Sequence, residues 1–270
     1  MRRFLVQGPV GRISGLWRDG DSPRLPVVFV HGINGAAAQW SPVTDHVAGR
    51  RIVAVDLRGH GDSQPGGSYG AADYAADVGA AMSALGITRA HLVGASFGGG
   101  VCVMLAATEP NSVASLTIIG GALSVADMAD AEAAVAALRR VGPESFFDQA
   151  AADSFGPSAD DEVVRESVRL AAHRDQAVIE QILRAAFAAD VSPAAARALV
   201  PALVLTGEHD RTCPPALGSV LAAALRTECV VLAGLGHMAH VEDPRQVAGL
   251  LVEHMQKAES PSEIRAVRGS

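Results

Sequence analysis

The sequence predicts an α/β fold in which a doubly wound, mostly parallel sheet carries an inserted helical lid. Six short apolar runs recur along the 270 residues, with helical patterns between several of them. The runs are apolar on both faces, as expected of strands that are covered by helices on each side of a parallel sheet. A long alanine-rich stretch with helical spacing then interrupts this alternation. These three observations predict the fold class and the insertion.

The predicted strands follow in order along the chain. Residues 3–8 and 11–18 are expected to form an antiparallel pair at one edge of the sheet. The six apolar runs, rich in β-branched residues, are the remaining strands. They cover residues 26–32, 51–56, 90–96, 116–121, 202–207 and 229–234.

Helices are predicted between and after these strands. Asp73 can cap a helix that ends at Gly86, and its apolar residues fall on one stripe. That stripe is formed by Tyr74, Val78, Met82 and Leu85. Another helix is expected to begin in the glycines after Ser96, and the last one to follow Pro244. Strand, helix, strand units of this kind imply right-handed crossovers and a doubly wound sheet.

The chain is expected to divide into a core, a lid and a tail. Residues 1–122 and 196–259 form the predicted core, and residues 123–195 form the helical lid, since no convincing strand occurs there. Residues 260–270 are polar and are predicted to be a flexible tail.

Composition and charge exclude several classes of function. Apolar residues make up 49% and charged residues 19%, which predicts a globular chain. The net charge of −7 includes no basic block, so we expect neither nucleic acid nor a membrane as partner. No signal peptide is evident, which predicts a cytoplasmic protein, either monomer or homodimer. The three cysteines form no CxxC pair, so neither a disulfide framework nor a thiolate metal site is expected.

The strongest motif is Gly94-Ala95-Ser96-Phe97-Gly98, which lies between a predicted strand and a predicted helix. A serine on such a sharp turn is held in strained geometry, and glycines beside it relieve the crowding. The helix N-terminus directs N–H groups at the oxyanion that forms when a serine attacks a carbonyl. We therefore expect Ser96 to be a nucleophile and the Phe97 N–H to be an oxyanion donor.

A serine nucleophile needs a base and an acid that orients it. Among nine histidines, His237 follows the last strand and is the preferred base, with His240 as its rival. Asp210 follows the penultimate strand and is the preferred acid, with Glu208 and Asp190 as alternatives. Strands of a parallel sheet end at one edge, so Asp210 and His237 are expected to meet there.

The loop after the first central strand completes the predicted site. In His31-Gly32-Ile33-Asn34, the Ile33 backbone N–H can be the second oxyanion donor. Apolar residues from this loop, the lid and the histidine loop are the candidates for a substrate pocket. They are Trp40, Leu123, Phe146, Phe147, Phe187 and Met238.

The order serine, acid, histidine, each after a successive strand, resembles the α/β-hydrolase family over nearly the whole chain. The loop from Asp56 to Ser63 and the segments GEHD and GHMAHVEDP occur in the order that the family shows. The resemblance implies that residues 56–63 form a structural loop near the oxyanion hole, without a catalytic role.

The resemblance also narrows the activity. Dehalogenases and epoxide hydrolases of this fold have aspartate where this chain has Ser96. Carbon–carbon bond hydrolases often have asparagine and tryptophan where it has Ala95 and Met238, and cofactor-free haloperoxidases tend to have an aromatic residue at Ile33. We expect hydrolysis of a small apolar carboxylic ester or lactone through an acyl-enzyme, with no metal or organic cofactor. A small-molecule sensor with little turnover is the alternative from another functional class. Relatives of the carbon–carbon bond hydrolases and of the cofactor-free haloperoxidases are further alternatives.

Overall fold

The computed structural model describes residues 1–128 and 130–260. Almost all of the predicted tail, residues 261–270, lies outside the described residues. Within them, no helix is long and apolar enough to cross a membrane.

One sheet organises the described part of the chain. Its strands lie in the spatial order β1, β2, β4, β3, β5, β6, β7, β8. They are β1 Arg2–Gln7, β2 Arg12–Arg18, β3 Val27–Val30, β4 Ile52–Val55, β5 Ala90–Ala95, β6 Val113–Ile119, β7 Ala202–Gly207 and β8 Cys229–Leu232. The first two strands pair antiparallel to each other, and β2 pairs antiparallel to β4. All other pairings are parallel, which confirms the predicted α/β class with its antiparallel edge pair.

Two apolar clusters cover the two faces of the sheet. In β3, Val28 and Val30 belong to one cluster, whereas Val27 and Phe29 belong to the other. Successive strand residues point to opposite faces, so a strand that is buried on both faces must be apolar throughout. This is why the central strands read as continuous apolar runs.

Helices lie on both faces and in the connection between β6 and β7. They are α1 Ser41–Thr44, α2 Ala71–Ala84, α3 Phe97–Thr108, α4 Ala131–Ser154, α5 Asp161–Ala172, α6 Gln176–Phe187, α7 Ser192–Arg197, α8 Pro215–Ala224, α9 Ala239–Glu242 and α10 Pro244–Glu259. Short 3₁₀ turns cover Ala37–Trp40 and Pro110–Ser112. The start of α2 differs from the prediction, because Gly70 is the N-cap. Asp73 lies in the first turn and accepts the Gly70 N–H over 3.1 Å.

The long connection from β6 to β7 holds α4, α5, α6 and α7, and the first three of these helices share an apolar cluster of their own. That cluster contains Val135, Leu138, Phe147, Ala171, Ile179 and Leu183. Helix α4 is kinked at Gly142, whose φ is 80°, just before Pro143. The action of this helical insertion as a lid stays a prediction.

Candidate active site

Ser96 occupies the sharp turn between β5 and α3. Its φ of 52° and ψ of −126° lie outside the regions that a residue with a side chain favours. The turn is held by a hydrogen bond from the Ser96 N–H to the Ile119 carbonyl over 2.8 Å. A Cβ at Gly94 would overlap the Gly98 carbonyl, and one at Gly98 would overlap the carbonyls of Val30 and His31. The flanking glycines are therefore required by close backbone packing.

The N-terminus of α3 starts directly at this serine. Phe97 is the first residue of the helix, so its N–H has no acceptor within the helix. The helix dipole adds partial positive charge at the same point. An oxyanion that forms at Ser96 would therefore meet a free donor and a favourable field.

His237 and Asp210 form a hydrogen bond at the carboxyl end of the sheet. His237 Nδ1 lies 2.8 Å from Asp210 Oδ2, and both residues are buried. The other carboxylate oxygen of Asp210 accepts the Cys213 N–H over 2.7 Å. With an ionised Asp210, Nδ1 carries the proton, which leaves Nε2 as the basic nitrogen.

The other acidic candidates lie elsewhere. Glu208 accepts the Gly234 N–H over 2.9 Å, and Asp190 accepts the Ser192 N–H over 2.8 Å. The structure therefore brings Asp210 to His237, whereas Glu208 binds a backbone N–H of the loop after β8 and Asp190 binds one two residues further along the chain.

His240, the rival candidate for the base, is held by packing rather than by hydrogen bonds. Its ring is buried against Trp40, with the ring centroids 4.6 Å apart. Neither ring nitrogen has a hydrogen-bond partner within the described part of the chain. Burial lowers the pKa of His240 to about 3, and the neighbouring His237 adds to this effect.

The loop that carries Ile33 is fixed through its carbonyl group. The Ile33 oxygen accepts a hydrogen bond from Arg174 Nη1 over 2.8 Å, and His60 Nε2 lies 2.9 Å from it. The turn is closed by the Gly35 N–H, which donates to Gly32 over 3.0 Å. Sequence reasoning did not find Arg174, because nothing in its helical surroundings marks it as a loop anchor.

The loop from Asp56 to Ser63 supports the same region. Asp56 accepts the Ala37 N–H over 2.7 Å, and His31 Nε2 accepts the Leu57 N–H over 3.0 Å. Burial lowers the pKa of His31 to about 4, so this ring is neutral near pH 7. These contacts are structural, in agreement with the role that the family resemblance implies for the loop.

A cavity of about 320 Å³ opens at Ser96 and His237. Ile33 and Phe97 lie in its wall. Of the predicted pocket residues, it is lined by Leu123, Phe146, Phe147 and Phe187. The cavity is also lined by the ion pair between Arg211 and Asp153, whose charged atoms lie 3.7 Å apart.

Two predicted pocket residues do not line this cavity. Trp40 is fully buried and packs against Phe29, with ring centroids 4.9 Å apart, so it supports the fold beneath the loop. Met238 lines two smaller cavities next to the large one. The assignment of Trp40 as a pocket residue is therefore wrong, and that of Met238 applies only to the smaller spaces. No group of three potential metal-binding side chains is found within residues 1–128 and 130–260.

Comparisons with known proteins agree with this fold. The solved structure of an enol-lactonase from Burkholderia xenovorans superposes with a TM-score of 0.84 at 24% identity, covering 94% of this chain and all of that one. The 2-succinyl-6-hydroxy-2,4-cyclohexadiene-1-carboxylate synthase of Escherichia coli is 29% identical over 243 residues, which are 86% of this chain and 94% of the relative.

Other similarities are local. The dihydrolipoyllysine-residue acetyltransferase component of an acetoin cleaving system from Pseudomonas putida is 36% identical over 128 residues, or 43% of this chain. That match spans 34% of the relative, about a third of its length. The α/β hydrolase fold family matches residues 26–178, more than half of the chain. The protein therefore belongs to the α/β hydrolase fold family.

Proposed function

We propose that the protein is a serine hydrolase that cleaves a small apolar carboxylic ester or lactone. The observation that carries the proposal is the buried 2.8 Å contact between His237 Nδ1 and Asp210 Oδ2, at the same cavity as the strained Ser96. Nucleophile, base and orienting acid are thus available at one edge of the sheet, which is the arrangement that acyl transfer requires.

In the proposed acylation step, His237 Nε2 takes the proton of Ser96 as its oxygen attacks the substrate carbonyl. The Asp210 carboxylate stabilises the imidazolium that forms. The backbone N–H groups of Ile33 and Phe97 bind the oxyanion, and each such donor is typically worth about 10²- to 10³-fold in rate. Collapse of the tetrahedral intermediate passes the proton to the leaving alcohol and leaves an acyl group on Ser96.

The size and lining of the cavity support the substrate class. About 320 Å³ suits a small ligand, and four apolar side chains contribute to its wall. They are Leu123, Phe146, Phe147 and Phe187. Because two of them lie on α4 and one on α6, we propose that the helical insertion acts as a lid that sets the acyl preference. A cytoplasmic location and a monomer or homodimer remain predictions.

Hydrolysis of p-nitrophenyl esters of increasing acyl length, together with simple lactones, tests the proposal. The native chain should turn over short or medium acyl groups, and Ser96→Ala should lose nearly all of this activity while its unfolding midpoint stays close to that of the native chain. The proposal is wrong if Ser96→Ala retains the turnover. Binding of such compounds with no turnover by the native chain would instead favour the sensor.

A further inference from the structure

A second, much smaller cavity lies behind Ser96 and His237. Its volume is about 20 Å³, which is enough for a single water molecule. Ser96 and His237 contribute to its wall, and so do the polar residues Asn34, Gln39 and His240. The cavity therefore joins the candidate catalytic pair to a group of polar side chains that the proposed chemistry does not use.

These polar side chains carry buried atoms without partners. Asn34 Oδ1, Gln39 Nε2 and both ring nitrogens of His240 have no hydrogen-bond partner within the described residues. A buried polar atom that is left unpaired destabilises the fold, so several of them around one small space need an explanation. Gln39 is 5% exposed and His240 is 1% exposed, so bulk solvent does not satisfy them.

The unpaired atoms are complementary to one water molecule. The Gln39 amide is a donor and Asn34 Oδ1 is an acceptor, while a neutral imidazole offers one of each. Burial keeps His240 neutral at pH 7, because its pKa lies near 3. A water molecule accepts two hydrogen bonds and donates two, and buried waters typically make about three.

We propose that this cavity holds the water molecule that hydrolyses the acyl-enzyme, and that Gln39 and His240 are its positioning residues. The inference rests on the proposed function. The water oxygen forms a bond to the acyl carbon as one of its protons passes to His237 Nε2. The bond between that carbon and Ser96 Oγ then breaks, the proton returns to Ser96 Oγ, and a carboxylic acid leaves.

The partition of the acyl-enzyme between water and methanol tests this role. With a p-nitrophenyl ester in buffer that contains methanol, the ratio of methyl ester to carboxylic acid reports only on the second step. Methanol enters from the large cavity, because the small one is sized for water. The ratio is also independent of the fraction of folded enzyme, so a partly unfolded variant still gives a valid result.

Gln39→Met and His240→Phe each remove the polar atoms while filling nearly the same volume. We expect each to raise the ratio of methyl ester to acid about tenfold, the effect of one lost hydrogen bond to the water. His240→Gln, which keeps a donor and an acceptor, should stay within about threefold of the native ratio. Val43→Ala, a buried change away from this cavity, should leave the ratio unchanged.

An unchanged ratio in both Gln39→Met and His240→Phe overturns the inference. If the native chain makes no product that depends on Ser96, no acyl-enzyme forms and the proposed function itself fails. That result differs from an unchanged ratio, which requires an acyl-enzyme. Should neither variant fold, a high-resolution crystal structure of the native protein decides. Ordered water bonded to Gln39 and His240 supports the site, and its absence from the density refutes it.

Discussion

Arg174 donates a hydrogen bond from Nη1 to the carbonyl oxygen of Ile33 over 2.8 Å, across 141 positions of sequence. The same guanidinium donates to the Ala171 carbonyl and lies 5.8 Å from the centre of the Phe147 ring. The helical insertion is thereby tied to the loop whose N–H group is the proposed oxyanion donor. We therefore expect the orientation of that donor to depend on a residue that takes no part in the proposed chemistry.

Replacing Arg174 by methionine should therefore impair catalysis without touching the nucleophile. We expect kcat/KM for a p-nitrophenyl ester to fall about tenfold, mostly through kcat, because a loosened Ile33 N–H stabilises the oxyanion less well. Arg169→Met is the matched control, since Arg169 lies exposed on the same helical insertion and pairs with Glu166. Equal kinetics in the two variants would refute the anchoring role.

Gly120 lies directly against the contact between His237 and Asp210. Its φ is 60°, and a Cβ there would lie 2.9 Å from His237 Nδ1 and 3.2 Å from Asp210 Oδ2. Gly120→Ala should lower kcat about 100-fold by displacing the imidazole, since small misplacements are costly. Gly86→Ala is the control: its φ is 69° but nothing lies within 4 Å of the added Cβ. That variant should lose only about 1 kcal/mol of unfolding free energy and keep its activity.

The positions of Ser96, Asp210 and His237 could be predicted because each follows an apolar strand of the sheet. Parallel strands end at a common edge, so residues far apart in sequence are brought together by the fold alone. The two glycines beside Ser96 differ in this respect. A Cβ at Gly94 would meet the backbone of Gly98, four residues away, whereas one at Gly98 would meet the carbonyls of Val30 and His31, which are distant in sequence.

The remaining contacts depend on where each side chain points, which the spacing of residues along the sequence does not determine. Trp40 follows the loop that carries Ile33, and its place in the sequence predicts a pocket residue, yet its side chain is fully buried in the core against His240. Arg174 reaches Ile33 only because the helical insertion packs against the loop after β3. The unpaired Nε2 atom of Gln39 can be recognised only once its burial is known.

Asp210→Asn tests whether Asp210, rather than Glu208, is the acid that orients His237. An asparagine keeps the shape of the side chain but favours the wrong tautomer of His237, so kcat should fall about 10⁴-fold. Glu208→Gln should change kcat less than about threefold, since the Glu208 carboxylate accepts a backbone N–H from Gly234. Steady-state kinetics with one ester suffices. A larger loss in Glu208→Gln than in Asp210→Asn would reverse the assignment of the acid.

Phe187 at the end of α6 lines the large cavity and is only partly buried, so it can be truncated without opening the core. Phe187→Ala should shift the preferred acyl chain of p-nitrophenyl esters towards greater length, because the wall recedes where the ring is removed. Leu199→Ala, an exposed change outside this cavity, should leave the length profile unchanged. Identical profiles for native chain and Phe187→Ala would mean that the acyl group binds elsewhere.

Glu259, at the end of α10, should make the fold sensitive to acid. Burial by itself would raise the pKa of Glu259, but hydrogen bonds from Arg50 and His91 and the charge of Arg50 outweigh this effect and lower it to about 2. A carboxylate with a depressed pKa stabilises the fold above its ordinary pKa near 4.5, and this stability is lost as the pH falls towards 2.

At pH 7, Glu259→Gln should lower the free energy of unfolding by about 1–2 kcal/mol, because the buried Arg50 loses its charged partner. Urea unfolding at several pH values should show this difference shrinking below pH 4.5. Glu253→Gln, exposed on the same helix, should show little difference at any pH, and a gap for Glu259→Gln that stays constant with pH would contradict the linkage.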